Sequence, residues 1–81
     1  MTIQLRFFAT LRKHFGEGER LLEIPEPRRA KDIFIGLFDS RETAERFLRH
    51  TRFAVNCEYV PPETLVKSGD ELAFIPPVSG G

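Results

Sequence analysis

The 81-residue sequence has no tryptophan and a single cysteine, Cys57. One thiol cannot close an internal disulfide, so nothing ties the expected fold to an oxidising compartment. No apolar run approaches the roughly 20 residues that a membrane-spanning helix requires. The opening MTIQLRFF has neither the apolar core nor the cleavage site of a signal peptide. The expectation is a cytoplasmic chain with no membrane partner. Net charge is also missing: twelve Lys and Arg balance twelve Asp and Glu, which argues against a nucleic-acid binder working by bulk phosphate neutralisation. The phosphate-binding G-x-x-x-x-G-K and G-x-G-x-x-G loops, the G-x-S-x-G nucleophile elbow and the H-E-x-x-H zinc signature are all absent. His14 and His50 have no Cys or His at metal-ligand spacing, so no metal site is expected. Cys57 has no His beside it in sequence and is assigned no catalytic role. A chain this short buries only about 60–65 % of its unfolded surface, enough for one small core and little enclosed space for a substrate.

The residues that are present alternate and recur in readable ways. Ile3, Leu5 and Phe7 interleave with Thr2, Gln4 and Arg6, predicting a half-buried strand over residues 2–8. Phe8 then places an aromatic ring on the polar face. Residues 9–15 read as a short helix with Leu11 and Phe15 four apart, stopped by Gly16 and Gly18. Residues 20–24 predict a second strand, hairpin-paired to the first and ended by Pro25 and Pro27, which cannot donate ladder hydrogen bonds. Ala30, Ile33, Phe34, Leu37 and Phe38 recur at helical spacing and predict an amphipathic helix over residues 28–38. Gly36 weakens it by about 1 kcal/mol.

Asp39 or Ser40 is expected to cap a further helix with Ala44, Phe47 and Leu48 as its apolar stripe. Glu42/Arg46 and Glu45/Arg49, each four apart, are its expected ion pairs. Residues 53–56 and 58–60 read as two short strands, and residues 71–75 as the last strand after a Ser68-Gly69-Asp70 turn. The order predicts an α+β domain with helices on one face of a mixed sheet. The two most apolar strands, the first and the last, are expected to lie adjacent, parallel and central. That is a β-grasp arrangement over residues 1–75, followed by a reactive tail over 76–81.

Charge is uneven along the chain. Residues 1–52 hold eleven Lys/Arg and eight Asp/Glu, whereas residues 53–81 hold only Lys67 against Glu58, Glu63, Asp70 and Glu71. The C-terminal stretch is therefore expected to suit a basic partner. Two prolines stiffen the root of the tail and two glycines free its tip. Glycines thread narrow channels, so the Gly81 carboxylate is the group best placed for chemistry. An ATP-using partner can convert that carboxylate to an acyl-adenylate, and a sulfur nucleophile can displace AMP to leave a thiocarboxylate.

The run GDELAFIPPVSGG at residues 69–81 resembles the C-terminal signature of the small, sulfur-carrier subunits of molybdopterin synthase, in the MoaD/ThiS-like ubiquitin-like family. LRFFATLR at residues 5–12, the AVN at 54–56 and Glu58-Tyr59-Val60 are similar to that family too. The resemblance implies a ubiquitin-like β-grasp fold and a carrier in molybdenum cofactor biosynthesis. It implies adenylylation of Gly81 by a ubiquitin-activating-like adenylyltransferase, sulfuration to a thiocarboxylate, and donation of sulfur to cyclic pyranopterin monophosphate. It also implies that Pro77, Val78, Ser79 and Gly80 insert into the large synthase subunit within a heterotetramer. On that reading the isolated chain is a non-catalytic carrier that binds no cofactor itself, the ATP being used by its activating partner.

Alternation adds an expected interface. Leu72 and Phe74 face the core, which turns Ile75 outward beside Phe8, with Tyr59 joining them on the outer sheet surface. Alternatives with the same fold and ending are a sulfur carrier for thiamine or cysteine synthesis and a protein modifier joined to lysines; a plain interaction domain with an inert tail is a third. The Phe-Ile-Pro-Pro-Val-Ser run favours the molybdopterin branch.

Overall fold

The computed structural model describes residues 1–77. Strand β1 (Thr2–Phe7) leads into helix α1 (Ala9–Phe15) and strand β2 (Glu19–Glu23). A two-residue strand β3 (Arg28–Arg29), helix α2 (Ala30–Gly36) and helix α3 (Arg41–Leu48) follow. Strands β4 (Arg52–Val55), β5 (Glu58–Val60), β6 (Leu65–Val66) and β7 (Glu71–Ile75) complete the order. Among the described residues, five strands form one sheet in the order β2-β1-β7-β4-β5, and β3 pairs with β6 beside it. β1 and β7 run parallel with Leu5 opposite Leu72 and Phe7 opposite Phe74, while β2, β4 and β5 join antiparallel. This is the predicted ubiquitin-like β-grasp.

The period-2 pattern sends one side of each strand into the core. Ile3, Leu5 and Phe7 of β1, Phe53 of β4, and Leu72 and Phe74 of β7 are all at most 2 % exposed. Leu11 of α1, Phe34 of α2 and Val66 of β6 close over them. Phe74 is the hub: its ring centroid lies 5.7 Å from Phe7, 5.0 Å from Phe34 and 5.7 Å from Phe53. Burying each such ring contributes about 1.5–3 kcal/mol. A second aromatic layer joins Phe15, Phe38 and Phe47 with the exposed His14, tying α1 to the end of α2 and to α3.

The helix expected over residues 28–38 is shorter than its apolar pattern. Arg28 and Arg29 pair with Val66 and Leu65 as strand. The first N–H groups of α2 then donate outward, Ala30 N–H to the Thr64 carbonyl at 2.9 Å and Lys31 N–H to the Pro62 carbonyl at 2.9 Å. A tertiary loop thus satisfies donors that a side-chain cap normally meets. Leu37 and Phe38 lie beyond the helix yet still pack on the core. Ser40 caps α3 as expected, its hydroxyl accepting the Thr43 N–H at 3.3 Å. The expected Glu42/Arg46 and Glu45/Arg49 pairs do not form: Arg41 takes Glu45 at 3.2 Å, and Arg46 donates to the Thr43 hydroxyl at 3.4 Å. Rotamers on an exposed face choose among partners of nearly equal energy.

β4 turns into β5 through two residues, Asn56 and Cys57, at φ of 51° and 72°. Two consecutive positive φ values match the right-handed twist of a hairpin and favour Asn-Gly. Cys57 thus occupies a position where its Cβ is strained. Cys57→Gly is expected to stabilise the domain by about 0.5–1 kcal/mol, seen as a higher denaturant midpoint at constant slope. Phe74→Ala is expected to cost about 3–5 kcal/mol in the same experiment, because one cavity opens against three rings.

Candidate functional site

The tail leaves the fold from the end of β7. Leu72 and Phe74 are fully buried, Ile75 is half-buried, Pro76 is buried and Pro77 is exposed. Neither proline offers an N–H, so the ladder stops at Ile75 while Pro76 still anchors the chain against the body. Of the expected tail residues Pro77 is the last described; Val78, Ser79, Gly80 and Gly81 lie outside the described residues.

The register assembles the outer face around this exit. Arg52 of β4 stands opposite Ile75, and the row Tyr59, Ala54, Ala73, Arg6, Glu19 crosses the sheet. Ala54 and Ala73 are small and only 5 % and 8 % exposed, so they form a shallow apolar floor that offers little surface of its own between the longer side chains. Tyr59 rises at one edge, 65 % exposed, with the Arg52 guanidinium 5.9 Å from its ring centre. Tyr59 and Ile75 line one open concavity together with His50, Arg52, Pro76 and Pro77. Phe8 is not the last residue of β1, as the alternation suggests, but the extended N-cap of α1 at φ −126° and ψ 156°. That extended backbone carries it one step past the Phe7–Phe74 pair, to the level of Ile75. It is 39 % exposed, and Arg6 lies over its ring at 5.5 Å. The structure therefore brings Tyr59 and Ile75 into one concavity and sets Phe8 on the opposite flank of Ile75.

Sequence reasoning missed the cations of this face. Arg6 sits between Glu19 at 3.8 Å and Glu71 at 3.9 Å. Its place beside Phe8 was accessible, since residues two apart in an extended segment share a face. Arg52 over Tyr59 was not, because it depends on the β4–β5 register. Each stacked cation keeps an exposed ring ordered, typically by about 0.5–1 kcal/mol.

The negative charge of the C-terminal stretch is not at the tail. Glu71 begins β7, four residue rises or roughly 13 Å before Ile75, Asp70 directly precedes it, and Glu58 stands opposite Val55 at that same end. Glu63 lies 3.7 Å from Lys31. The side chains closest to the tail root are instead Arg46, His50 and Arg52. The expectation of a basic partner at the tail is corrected accordingly: residues 53–81 are acidic in sequence, but folding carries Glu58, Asp70 and Glu71 to the far end of the sheet and pairs Glu63 with Lys31.

Those acidic residues have structural work. The Asn56 side chain donates from Nδ2 to Asp70 Oδ1 at 3.0 Å and accepts the Glu71 N–H at 3.0 Å, while Asp70 Oδ2 accepts the Lys67 N–H at 2.9 Å. This clamp joins the AVN and GDEL motifs and sets where β7 begins. Burial alone would raise the Asp70 pKa, but the Lys67 N–H, the Asn56 amide and the Lys67 charge together hold it below the usual carboxylate value. Among the described residues, no group of three His, Cys, Asp or Glu is placed to hold a metal.

The model of the ThiS family matches residues 5–81. The chain belongs to the ThiS family. Over 83 aligned residues it is 32 % identical to the molybdopterin synthase sulfur carrier subunit of Chlamydomonas reinhardtii, covering 100 % of both proteins. The solution structure of small archaeal modifier protein 1 from Methanosarcina acetivorans superposes with a TM-score of 0.75 at 23 % identity, covering 99 % of this chain and 96 % of that one. The complex of subunits 1 and 2 of molybdopterin-converting factor from Helicobacter pylori gives a TM-score of 0.64 at 23 % identity, covering 100 % of both chains. At these identities the two solved structures establish the shared fold.

Two expectations for this ThiS-family chain follow from the geometry. Phe8→Asp replaces a poorly capping residue by a good N-cap on α1, so thermal unfolding is expected to shift by no more than about 1 kcal/mol even though an aromatic is lost. Asp70, with its pKa depressed by folding, contributes stability that is complete above the unfolded carboxylate value near 4 and disappears as pH falls through the folded value. Asp70→Asn is therefore expected to be less stable than the parent at pH 7, with the gap closing as the solution is acidified to about pH 2.

Proposed function

We propose that this chain is the sulfur-carrier subunit of molybdopterin synthase, with the carboxylate of Gly81 as its working group. The reading rests above all on one observation. β7 carries two wholly buried side chains, Leu72 and Phe74, and leads through the buried Pro76 to the exposed Pro77, directly before Val78-Ser79-Gly80-Gly81 in sequence. The full-length likeness to a molybdopterin synthase sulfur carrier supports it.

In the proposed cycle a ubiquitin-activating-like adenylyltransferase binds ATP. The Gly81 carboxylate oxygen attacks the α-phosphorus and pyrophosphate leaves. A sulfur nucleophile then attacks the acyl carbon; the C–S bond forms, the C–O bond to the phosphate breaks, and AMP departs. The resulting thiocarboxylate enters the large synthase subunit, where its sulfur attacks a carbon of cyclic pyranopterin monophosphate and displaces an oxygen group from it; water then cleaves the acyl C–S bond, leaving the sulfur on the pterin and restoring the carboxylate. This chain contributes a tail slim enough to reach a buried centre, held by a rigid root. Glycines at 80 and 81 let the backbone approach where a Cβ obstructs.

The face around Phe8, Tyr59 and Ile75 is the proposed anchor for the large subunit. Its half-exposed rings and alanine floor match the apolar centre of a protein interface. A partner of this kind accords with the Helicobacter pylori complex, and two carriers on a dimer of large subunits make the proposed heterotetramer.

Intact mass of the protein isolated from its host tests the chemistry. Exchange of one oxygen for sulfur adds about 16 Da, and that species is expected to vanish when one residue is appended after Gly81. A chain that restores cofactor production despite the appended residue overturns the proposal, and lysine-linked adducts of higher mass that persist in reductant indicate a protein modifier instead. For the anchor, Phe8→Asp and Ile75→Asp are each expected to weaken binding to the large subunit at least about tenfold; unchanged affinity in both removes it.

A further inference from the structure

The tail root has a second side, facing the helices rather than the outer sheet surface. There an open concavity of about 510 Å³ is lined by Thr10 of α1, Arg46 and Phe47 of α3, His50, Pro76 and Pro77. Its floor is Phe47 and the two prolines. Its rim is Arg46 and His50, both exposed, with no carboxylate among the lining residues. Two local bonds set this geometry. The Thr51 hydroxyl donates to the Phe47 carbonyl at 2.6 Å, closing α3, and the His50 N–H reaches the same carbonyl at 3.1 Å. Arg46 is held only by the Thr43 hydroxyl at 3.4 Å, and no carboxylate lies within 4.0 Å of its guanidinium among the described residues. Elsewhere on the surface arginines do find acids, as Arg20 with Glu17, Arg29 with Asp32 and Arg41 with Glu45.

We infer that this concavity is a docking surface for acidic side chains of the enzyme that activates the tail. The inference rests on the carrier reading above, in which two proteins take the same tail in turn. The apolar outer face is assigned to one of them, the large subunit; this hollow meets it at His50, Pro76 and Pro77 and is distinguished from it by Thr10, Arg46 and Phe47 on the helix side. The chemistry to be met is an apolar floor edged by the unneutralised Arg46 guanidinium and the His50 imidazole, both hydrogen-bond donors, which is complemented by a carboxylate-bearing protein surface. A nucleotide phosphate is the poorer match. Gly81 is four residue steps beyond Pro77, about 14 Å when extended through a channel. An adenylate on Gly81 is then out of reach of Arg46 and His50, whereas the wall at the channel mouth is beside them.

The test uses the full-length chain with the activating enzyme and the large synthase subunit encoded in the same genome. Affinities are measured at about 50 mM and about 500 mM salt, where the Debye length falls from roughly 14 Å to 4 Å. Arg46→Glu and His50→Glu, alone and together, are expected to weaken binding to the activating enzyme at least about tenfold at low salt and no more than about threefold at high salt. Arg46→Lys is expected to stay within about threefold of the parent, and Arg46→Glu, at a position that lines only the helix-side hollow, within about threefold towards the large subunit. Circular dichroism of the variants checks that the fold is kept; both positions are exposed. The inference is overturned if the double variant binds the activating enzyme as the parent does, if its loss is independent of salt, or if Arg46→Glu weakens binding to the large subunit as much. Formation of the thiocarboxylate on the parent chain is read separately, so failure here leaves the carrier reading standing.

Discussion

The contact of the Phe74 ring with Phe7, Phe34 and Phe53 holds together the three parts of this molecule that have to agree. It joins the two parallel strands, the central helix and β4. It lies one residue before Ile75 and two before Pro76. A tail that works at a distance needs a root that does not move, and rigidity in a domain of this size comes from close-packed large side chains. The buried aromatic hub therefore stabilises the fold and also fixes the point and direction from which the remaining residues depart.

A second constraint acts at the other end of the same strand. Asn56, in a positive-φ hairpin turn, reaches across to Asp70 and Glu71 and satisfies both at 3.0 Å. Because strand side chains alternate with a period of two, a slip of one residue in β7 would turn Phe74 outward and Ile75 inward. The clamp thus protects the orientation of the tail root as well as local hydrogen bonding. It gives Asn56 and Asp70, residue types often found in catalysis, a structural place in the sheet. The acidic residues of the last third of the chain serve this end of the sheet and leave the tail root to Arg46, His50 and Arg52.

The two surfaces at the tail root differ in physical character. One is a shallow apolar floor with a half-exposed ring at each side, stacked by Arg6 and Arg52. The other is a hollow with a cationic rim. On the proposed reading, such a division presents one short tail to partners of different chemistry, with apolar burial dominating affinity on one side and electrostatics governing encounter on the other.

Much of this was readable from residue order. Alternation in residues 2–7 and 71–75, the Gly16 stop, the Ser40 cap and the proline pair after Ile75 are local signals, and a local signal needs no partner to be interpreted. The β-grasp order, the buried faces of β1 and β7 and the outward turn of Ile75 followed from them. What the order of residues could not determine depended on segments far apart meeting. Arg28 and Arg29 became strand because Leu65 and Val66 arrived beside them, and the loop at Pro62–Thr64 then capped α2 and shortened it. Exposed ion pairs on α3 were chosen among alternatives too close in energy for spacing to separate. The electrostatic character of the tail root inverted, because charge adds up through space and antiparallel strands bring residue 52 beside residue 75 while carrying residues 58 and 70 away.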